Sequence, residues 1–128
     1  MTRKPIVVDT DVVVDFFRGH SKAVDFVTAN AARIILSPIV VAELYAGVRK
    51  GSEQESLDNF VALFHVAPMS MEIAKAAGLY KRDYGRSHGV GLADALLAAT
   101  AEATSAELKT LNVKHYPMFK DLKPAYKK

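Results

Sequence analysis

The sequence contains no cysteine. A disulfide scaffold and a thiolate zinc site are therefore excluded, and the composition is compatible with a reducing compartment. Long apolar runs are also missing. Behind the basic opening Met1-Thr2-Arg3-Lys4-Pro5, the run Ile6-Val7-Val8 is broken at once by Asp9. A secretory leader needs a longer apolar stretch and a membrane span a longer one still, so a soluble, cytoplasmic protein with no membrane partner is expected. Neither sign of charge dominates: 17 basic and 14 acidic side chains leave a net charge of +3. That permits a nucleic-acid partner without pointing to one. The imbalance is local. From Lys109 onward come Lys114, Lys120, Lys123, Lys127 and Lys128 against a single acid, Asp121. This segment is either a solvated tail or an edge that contacts phosphate.

What is present suits one compact domain over residues 1–128. Half of the residues are hydrophobic and 24% are charged, and a chain of this length buries well over half of its unfolded surface. No repeat, low-complexity tract or linker divides it. Short apolar runs alternate with amphipathic segments, which predicts an α/β fold with a mostly parallel sheet. Ile6-Val7-Val8 has the β-branched composition of a central strand. Thr10 or Asp11 can cap a helix through Arg18, stopped at Gly19, and a second helix starts at Ser21. Residues 33–36 form the next strand. Ser37-Pro38 then opens a helix to about Arg49. Ser52 and Glu55 have capping-box spacing for a helix carrying Leu57, Phe60, Val61 and Phe64. Residues 65–67 make a short strand, and Ser70 caps a helix with the stripe Ile73, Ala76, Ala77 and Tyr80. A glycine-bearing loop is expected over 85–91, an alanine-rich helix over 92–103, a strand over 107–111, a helical turn within 113–119 and a weak strand near Lys123.

Against this frame, three acids stand out. Asp9 directly ends the first strand, where ligands of open α/β sheets bind; a turn or cap role is the alternative. Glu43 falls within or at the border of the stripe Ile39, Val40, Leu44, Gly47 and Val48; it is either held there for a purpose or turned outward at the stripe's edge. Asp94 starts the alanine-rich helix on the side of Leu97, Ala98 and Ala101, as a site acid or as a helix cap. Two carboxylates about 4 Å apart repel by about 4 kcal/mol at an effective dielectric of about 20. A cluster persists when a divalent cation neutralises it or when its pKa values rise. Oxygen ligands without cysteine favour a hard ion, Mg²⁺ or, as a substitute, Mn²⁺. Metal-assisted phosphodiester hydrolysis is the chemistry that follows. His20, His65, His88 and His115 show no metal-ligand spacing and are expected at the surface or in loops. Ser37 and Ser70 are better explained as caps than as nucleophiles, and Gly89 and Gly91 lack the Lys-Ser/Thr of a P-loop.

Four segments carry a family resemblance: Ile6-Val7-Val8-Asp9-Thr10-Asp11 and its continuation to Gly19; Ser37-Pro38-Ile39-Val40-Val41-Ala42-Glu43-Leu44-Tyr45-Ala46-Gly47; Gly91-Leu92-Ala93-Asp94-Ala95 onward to Ala101; and residues 108–116, Leu-Lys-Thr-Leu-Asn-Val-Lys-His-Tyr. In content and order they resemble the motifs of PIN-domain proteins, especially the VapC toxins of toxin–antitoxin pairs. The resemblance implies a three-layer α/β/α sandwich around a twisted, mostly parallel sheet. It implies metal binding by Asp9 and Asp94 with Glu43 completing the pocket, single-strand-specific endoribonuclease activity on RNA, a homodimer, and inhibition by a cognate VapB-like antitoxin. Thr10 and Thr110 match hydroxyl positions that orient acids or substrate. Asn112 stands where the family often has aspartate; it joins the catalytic set through an amide that carries no charge, so a single metal is the sharper expectation. Asp11 either compensates or is a helix-start aspartate, and Asp15 is expected to pair with Arg18. Arg82, Arg86 and the C-terminal lysines are rim candidates for the phosphate backbone. Two rival functions are a haloacid-dehalogenase-type phosphatase with Asp9 as nucleophile, which leaves Glu43 unexplained, and a PIN-fold module that binds RNA or protein without cleaving.

Overall fold

Ile6, Val7 and Val8 are all buried and form strand β1 (Ile6–Val8) at the centre of the molecule. A run that is apolar on both faces is stable only where both faces of the sheet are covered. The computed structural model describes residues 3–128; Met1 and Thr2 of the basic opening lie outside them. After β1 come α1 (Thr10–Phe17), α2 (Ser21–Asn30), β2 (Ile34–Leu36), α3 (Pro38–Ala46), α4 (Ser52–Ala62), β3 (His65–Val66), α5 (Met71–His88), α6 (Leu92–Ala103) and β4 (Glu107–Lys109). The four strands are ordered β3-β2-β1-β4, and every pairing is parallel. The sheet is thus wholly parallel, within the α/β expectation. The crossovers from β1 to β2 and from β2 to β3 carry α1–α4, and the return from β3 to β4 carries α5 and α6; the right-handed rule for parallel crossovers assigns the two groups to opposite faces of the sheet.

The main core joins the sheet to Val12, Val13, Val40, Leu57, Phe60 and Leu97. A second cluster of Ile73, Ala77, Val90, Ala95 and Ala99 seals α5 against α6. Serine caps act as expected: Ser37 Oγ accepts from the Ile39 amide at 3.3 Å, with Pro38 at the first helical position, and Ser70 Oγ accepts from the Ile73 amide at 3.1 Å.

Several boundaries differ from expectation, each for a local reason. Asp9, rather than Thr10 or Asp11, is the N-cap of α1. Helix α3 stops at Ala46, not Arg49. The Ser52/Glu55 box does not form: Gly51, at φ 91°, is the cap of α4, and Glu53 instead accepts from the Arg49 amide at 3.0 Å. Helix α5 runs through Gly85 to His88 and ends on left-handed Gly89 at φ 66°. A glycine inside a helix costs about 1 kcal/mol; here the side chain of Lys81 lies over Gly85 and bonds the Val90 carbonyl at 3.0 Å, tying the helix end down. Arg33 lies in a 3-10 turn before β2, where it pairs with Glu107 at 2.7 Å. No strand forms near Lys123 among the described residues.

The expected Asp15–Arg18 pair is also replaced. Asp15 is buried at 5% exposure, whereas Arg18 is exposed. The Asp15 carboxylate accepts from the Tyr126 hydroxyl at 2.8 Å and pairs with Lys128 at 3.0 Å, so the C-terminal segment is strapped across α1. The basic tail is therefore partly structural. Burial alone would raise the Asp15 carboxyl, but Lys128 and Tyr126 more than offset it and hold it below its usual 3.8. A carboxyl that titrates lower when folded adds stability above that range and loses it as pH falls through it. Asp15→Asn is expected to destabilise the protein by about 1–2 kcal/mol at neutral pH. In chemical denaturation the difference from wild type should shrink as pH drops below 3.8; a difference that does not narrow on acidification contradicts the assignment.

Candidate active site

The parallel ladder between β1 and β4 continues one step past the end of β1, where the Asp9 amide donates to the Lys109 carbonyl at 2.9 Å. That bond sets Thr110 beside Asp9. Chain connections leave β1 toward β2 on one side while β4 lies on the other, so this is the point where the strand order reverses and a crevice opens at the carboxyl ends. The crevice is a 440 Å³ cleft whose lining includes Asp9, Thr10, Asp11, Glu43, Asp94 and Asn112.

Asp9 is the most fixed of these side chains and is only 8% exposed. Its Oδ1 accepts from the Thr10 amide at 2.8 Å. Its Oδ2 accepts from the Thr110 hydroxyl at 2.8 Å and from the Tyr116 hydroxyl at 2.7 Å. Asp94 lies in the first turn of α6, whose cap is Gly91, so it is not the helix cap. Its Oδ1 is 3.2 Å from the Tyr116 hydroxyl and its Oδ2 3.3 Å from His115 Nδ1. Burial, and then the charge of Asp9, push the Asp94 carboxyl above its ordinary range, with His115 and Tyr116 acting in the opposite direction.

Glu43 is exposed on α3 rather than set within the buried stripe. The stripe is carried by Val40 and Leu44, and Glu43 turns from it to the open side of the cleft, where its Oε1 accepts from the Thr10 hydroxyl at 2.7 Å. The Thr10 hydroxyl thus contacts one of the cleft's acids.

Asp11 belongs to the site's wall. Its Oδ2 accepts from the Leu111 amide at 3.0 Å and the Asn112 side-chain amide at 3.0 Å. Its Oδ1 is buried with no hydrogen-bond partner. Burial first, and the Asp9 charge second, push its carboxyl up to about 6. The Asn112 backbone amide donates to the Thr110 hydroxyl at 3.0 Å, so Asn112 and Thr110 brace Asp11 and Asp9 from behind.

Two contributors were not anticipated. Tyr116, fully buried, looks in the sequence like any core aromatic; the one available hint is that a buried phenol needs a hydrogen-bond partner. His115 is a surface histidine as expected, with its side chain 55% exposed, yet it faces Asp94. Arg18 and Lys128 supply the cationic edge of the cleft, and His115 lines it beside them. Arg82 and Arg86 do not line the cleft; Arg82 pairs with Asp83 at 2.8 Å on an exposed face.

The donor set fits a hard divalent cation. It is all oxygen, and the partnerless Asp11 Oδ1 and the singly bonded Asp9 Oδ1 are acceptors with capacity to spare. Among the described residues, no three Asp, Glu or His side chains enclose one point as a protein cage would. Magnesium asks for no such cage, since it keeps several waters and takes one or two carboxylates.

An all-parallel sheet with an acidic cleft at its point of reversal places the chain among α/β domains that bind at the carboxyl ends of their strands, and the PIN domain family model matches residues 6–116. The chain belongs to the PIN-domain family, on its VapC branch. It is 40% identical to Ribonuclease VapC10 of Mycobacterium tuberculosis over 124 residues, covering 94% of this chain and 92% of that protein. Identity to Ribonuclease VapC19 of the same organism is 39%, covering 94% and 98%. The solved structure of VapBC2 from Rickettsia felis bound to a DNA fragment from its promoter superposes with a TM-score of 0.74 at 26% identity, covering 91% of this chain and 94% of that one.

The raised Asp11 carboxyl makes a prediction for metal-free protein. A carboxyl that titrates higher when folded supports the fold at low pH and withdraws that support as pH rises through its folded value. Between its usual 3.8 and about 6, Asp11 should therefore erode stability. Urea unfolding in a chelator is expected to show a steeper stability loss across this window in wild type than in Asp11→Asn; equal slopes would contradict the burial of this charge.

Proposed function

We propose that the chain is the ribonuclease toxin of a VapBC-type toxin–antitoxin pair, an endoribonuclease that hydrolyses RNA phosphodiester bonds with Mg²⁺, replaceable by Mn²⁺, in the acidic cleft. The observation that carries this is the convergence of Asp9, Asp11, Glu43 and Asp94 on one cleft in a chain 40% identical to a VapC ribonuclease over nearly its full length. Asp9 and Asp94 would hold the ion. When bound, such an ion polarises a phosphate oxygen and lowers the pKa of an attacking water. Glu43, at the open side and oriented by Thr10, accepts the proton of that water. Thr110, Asn112 and Asp11 keep the acids in place from behind. His115, Lys128 and Arg18 at the cleft's edge meet the phosphate backbone, as positioning contacts without sequence information.

The cognate partner is a VapB-like antitoxin, in keeping with the VapBC complex among the structural relatives; the working form is a homodimer, as the motif resemblance implies. Among the described residues, no helix is long and apolar enough to cross a membrane. The phosphatase alternative is set aside by the family match. The non-cleaving alternative rested on Asn112, whose amide here braces Asp11 instead of leaving a gap in the acid set.

Antitoxin-free protein is expected to cut single-stranded RNA with Mg²⁺ and not with a chelator. Asp9→Asn and Asp94→Asn should each reduce the rate by on the order of a hundredfold or more. RNA that is bound but never cut under these conditions would overturn the enzymatic assignment.

A further inference from the structure

Tyr116 connects two acids that come from different parts of the fold. Asp9 caps α1 at the end of β1, and Asp94 lies in the first turn of α6. The Tyr116 hydroxyl is 2.7 Å from Asp9 Oδ2 and 3.2 Å from Asp94 Oδ1. One acceptor would satisfy a buried phenol; this one is placed between two carboxylate oxygens that repel each other. Its single proton is shared in a three-centre bond whose shorter, stronger branch goes to Asp9 and whose longer branch goes to Asp94.

The consequence is a division of labour between oxygens. Asp9 Oδ2 is saturated by the Thr110 and Tyr116 hydroxyls, which turns that oxygen into the protein. Oδ1 keeps only the Thr10 amide and retains a lone pair for a ligand in the cleft. On Asp94, Oδ1 is drawn toward Tyr116, while Oδ2 faces His115. The ring is a separate matter: it is fully buried in the main core, and a phenylalanine would fill the same space.

We propose that the Tyr116 hydroxyl is a positioning group that holds Asp9 and Asp94 in ion-binding orientation before a cation arrives. Tyr116 touches neither the cation nor the RNA; it acts through the two carboxylates. This rests on the metal-site reading given above. Without the hydroxyl, Asp94 is free to swing away from Asp9, and an incoming cation must reassemble the pair against their mutual repulsion.

The test is Mn²⁺ and Mg²⁺ binding to antitoxin-free protein without RNA, by paramagnetic resonance for Mn²⁺ and calorimetry for Mg²⁺. Tyr116→Phe is expected to weaken ion affinity by about 10- to 100-fold, as loss of an outer support typically does. In cleavage at fixed Mg²⁺ below saturation, kcat should fall while KM for RNA changes little. Tyr126→Phe removes a comparable buried-acid hydrogen bond, 2.8 Å to Asp15, and should leave ion affinity unchanged; equal weakening in both variants would overturn a specific role for Tyr116. Folded Tyr116→Phe with wild-type affinity would overturn the proposal, whereas wild-type protein that binds neither ion would overturn the metal site itself. Should Tyr116→Phe not fold, wild-type protein labelled with 3-fluorotyrosine decides. The Tyr116 fluorine signal, one of five and assigned by substituting the other tyrosines singly, should move with the Mg²⁺ titration; a signal that stays fixed contradicts the role.

Discussion

The hydrogen bond from the Asp9 amide to the Lys109 carbonyl is the constraint on which the site depends. It extends the β1–β4 ladder by one residue beyond the strand and so couples a strand end near the start of the chain to one a hundred residues later. Asp9, Asp11, Thr110, Leu111 and Asn112 are neighbours because of it. Register errors are costly in a strand buried on both faces, since a slip would displace every side chain that follows. The buried, β-branched Ile6-Val7-Val8 run thus does more than fill the core: it fixes where the acids stand.

Those acids make the site electrostatically costly. Asp11 and Asp94 are both pushed above the ordinary carboxylate range by burial and by the charge of Asp9. The fold offsets this with hydroxyl and amide donors rather than with buried cations. Thr110 and Tyr116 donate to Asp9, Leu111 and Asn112 to Asp11, and Thr10 to Glu43. Donors of this kind hold carboxylates in place without neutralising them, which leaves charge for a cation to complete. The cationic side chains remain at the edge. Asp15 shows the contrast: buried on the same helix, it is matched by Lys128 and Tyr126 and held low, as a structural acid should be.

Much of this was legible in the sequence. Asp9, Glu43 and Asp94 stood out because each broke an apolar pattern at a strand end or a helix face, and the structure brings them to one cleft. Strand β1 and helix α6 carried unambiguous local signals. Glu43 was left between a place within the stripe and an outward turn at its edge, because stripe membership does not fix which way a side chain turns there; in the folded chain it takes the outward turn. Gly85 suggested a loop because helix propensity does not register Lys81 bonding to Val90 across the helix end. Asp15 was assigned to Arg18 by local spacing, whereas its partners lie over a hundred residues away. Tyr116 was invisible for the same reason: its ring obeys core periodicity, and only the folded chain shows where its hydroxyl points.

The central claim is that Asp9 and Asp94 form one cation site. The most direct measurement is a crystal structure of the antitoxin-free protein with Mn²⁺, read by anomalous scattering. The account predicts a peak in the acidic cleft at coordination distance, on the order of 2.1 Å, from an oxygen of Asp9 or Asp94 and bridged to the other directly or through one water. A cleft without a peak at saturating Mn²⁺, or an ion bound away from both carboxylates, would contradict it.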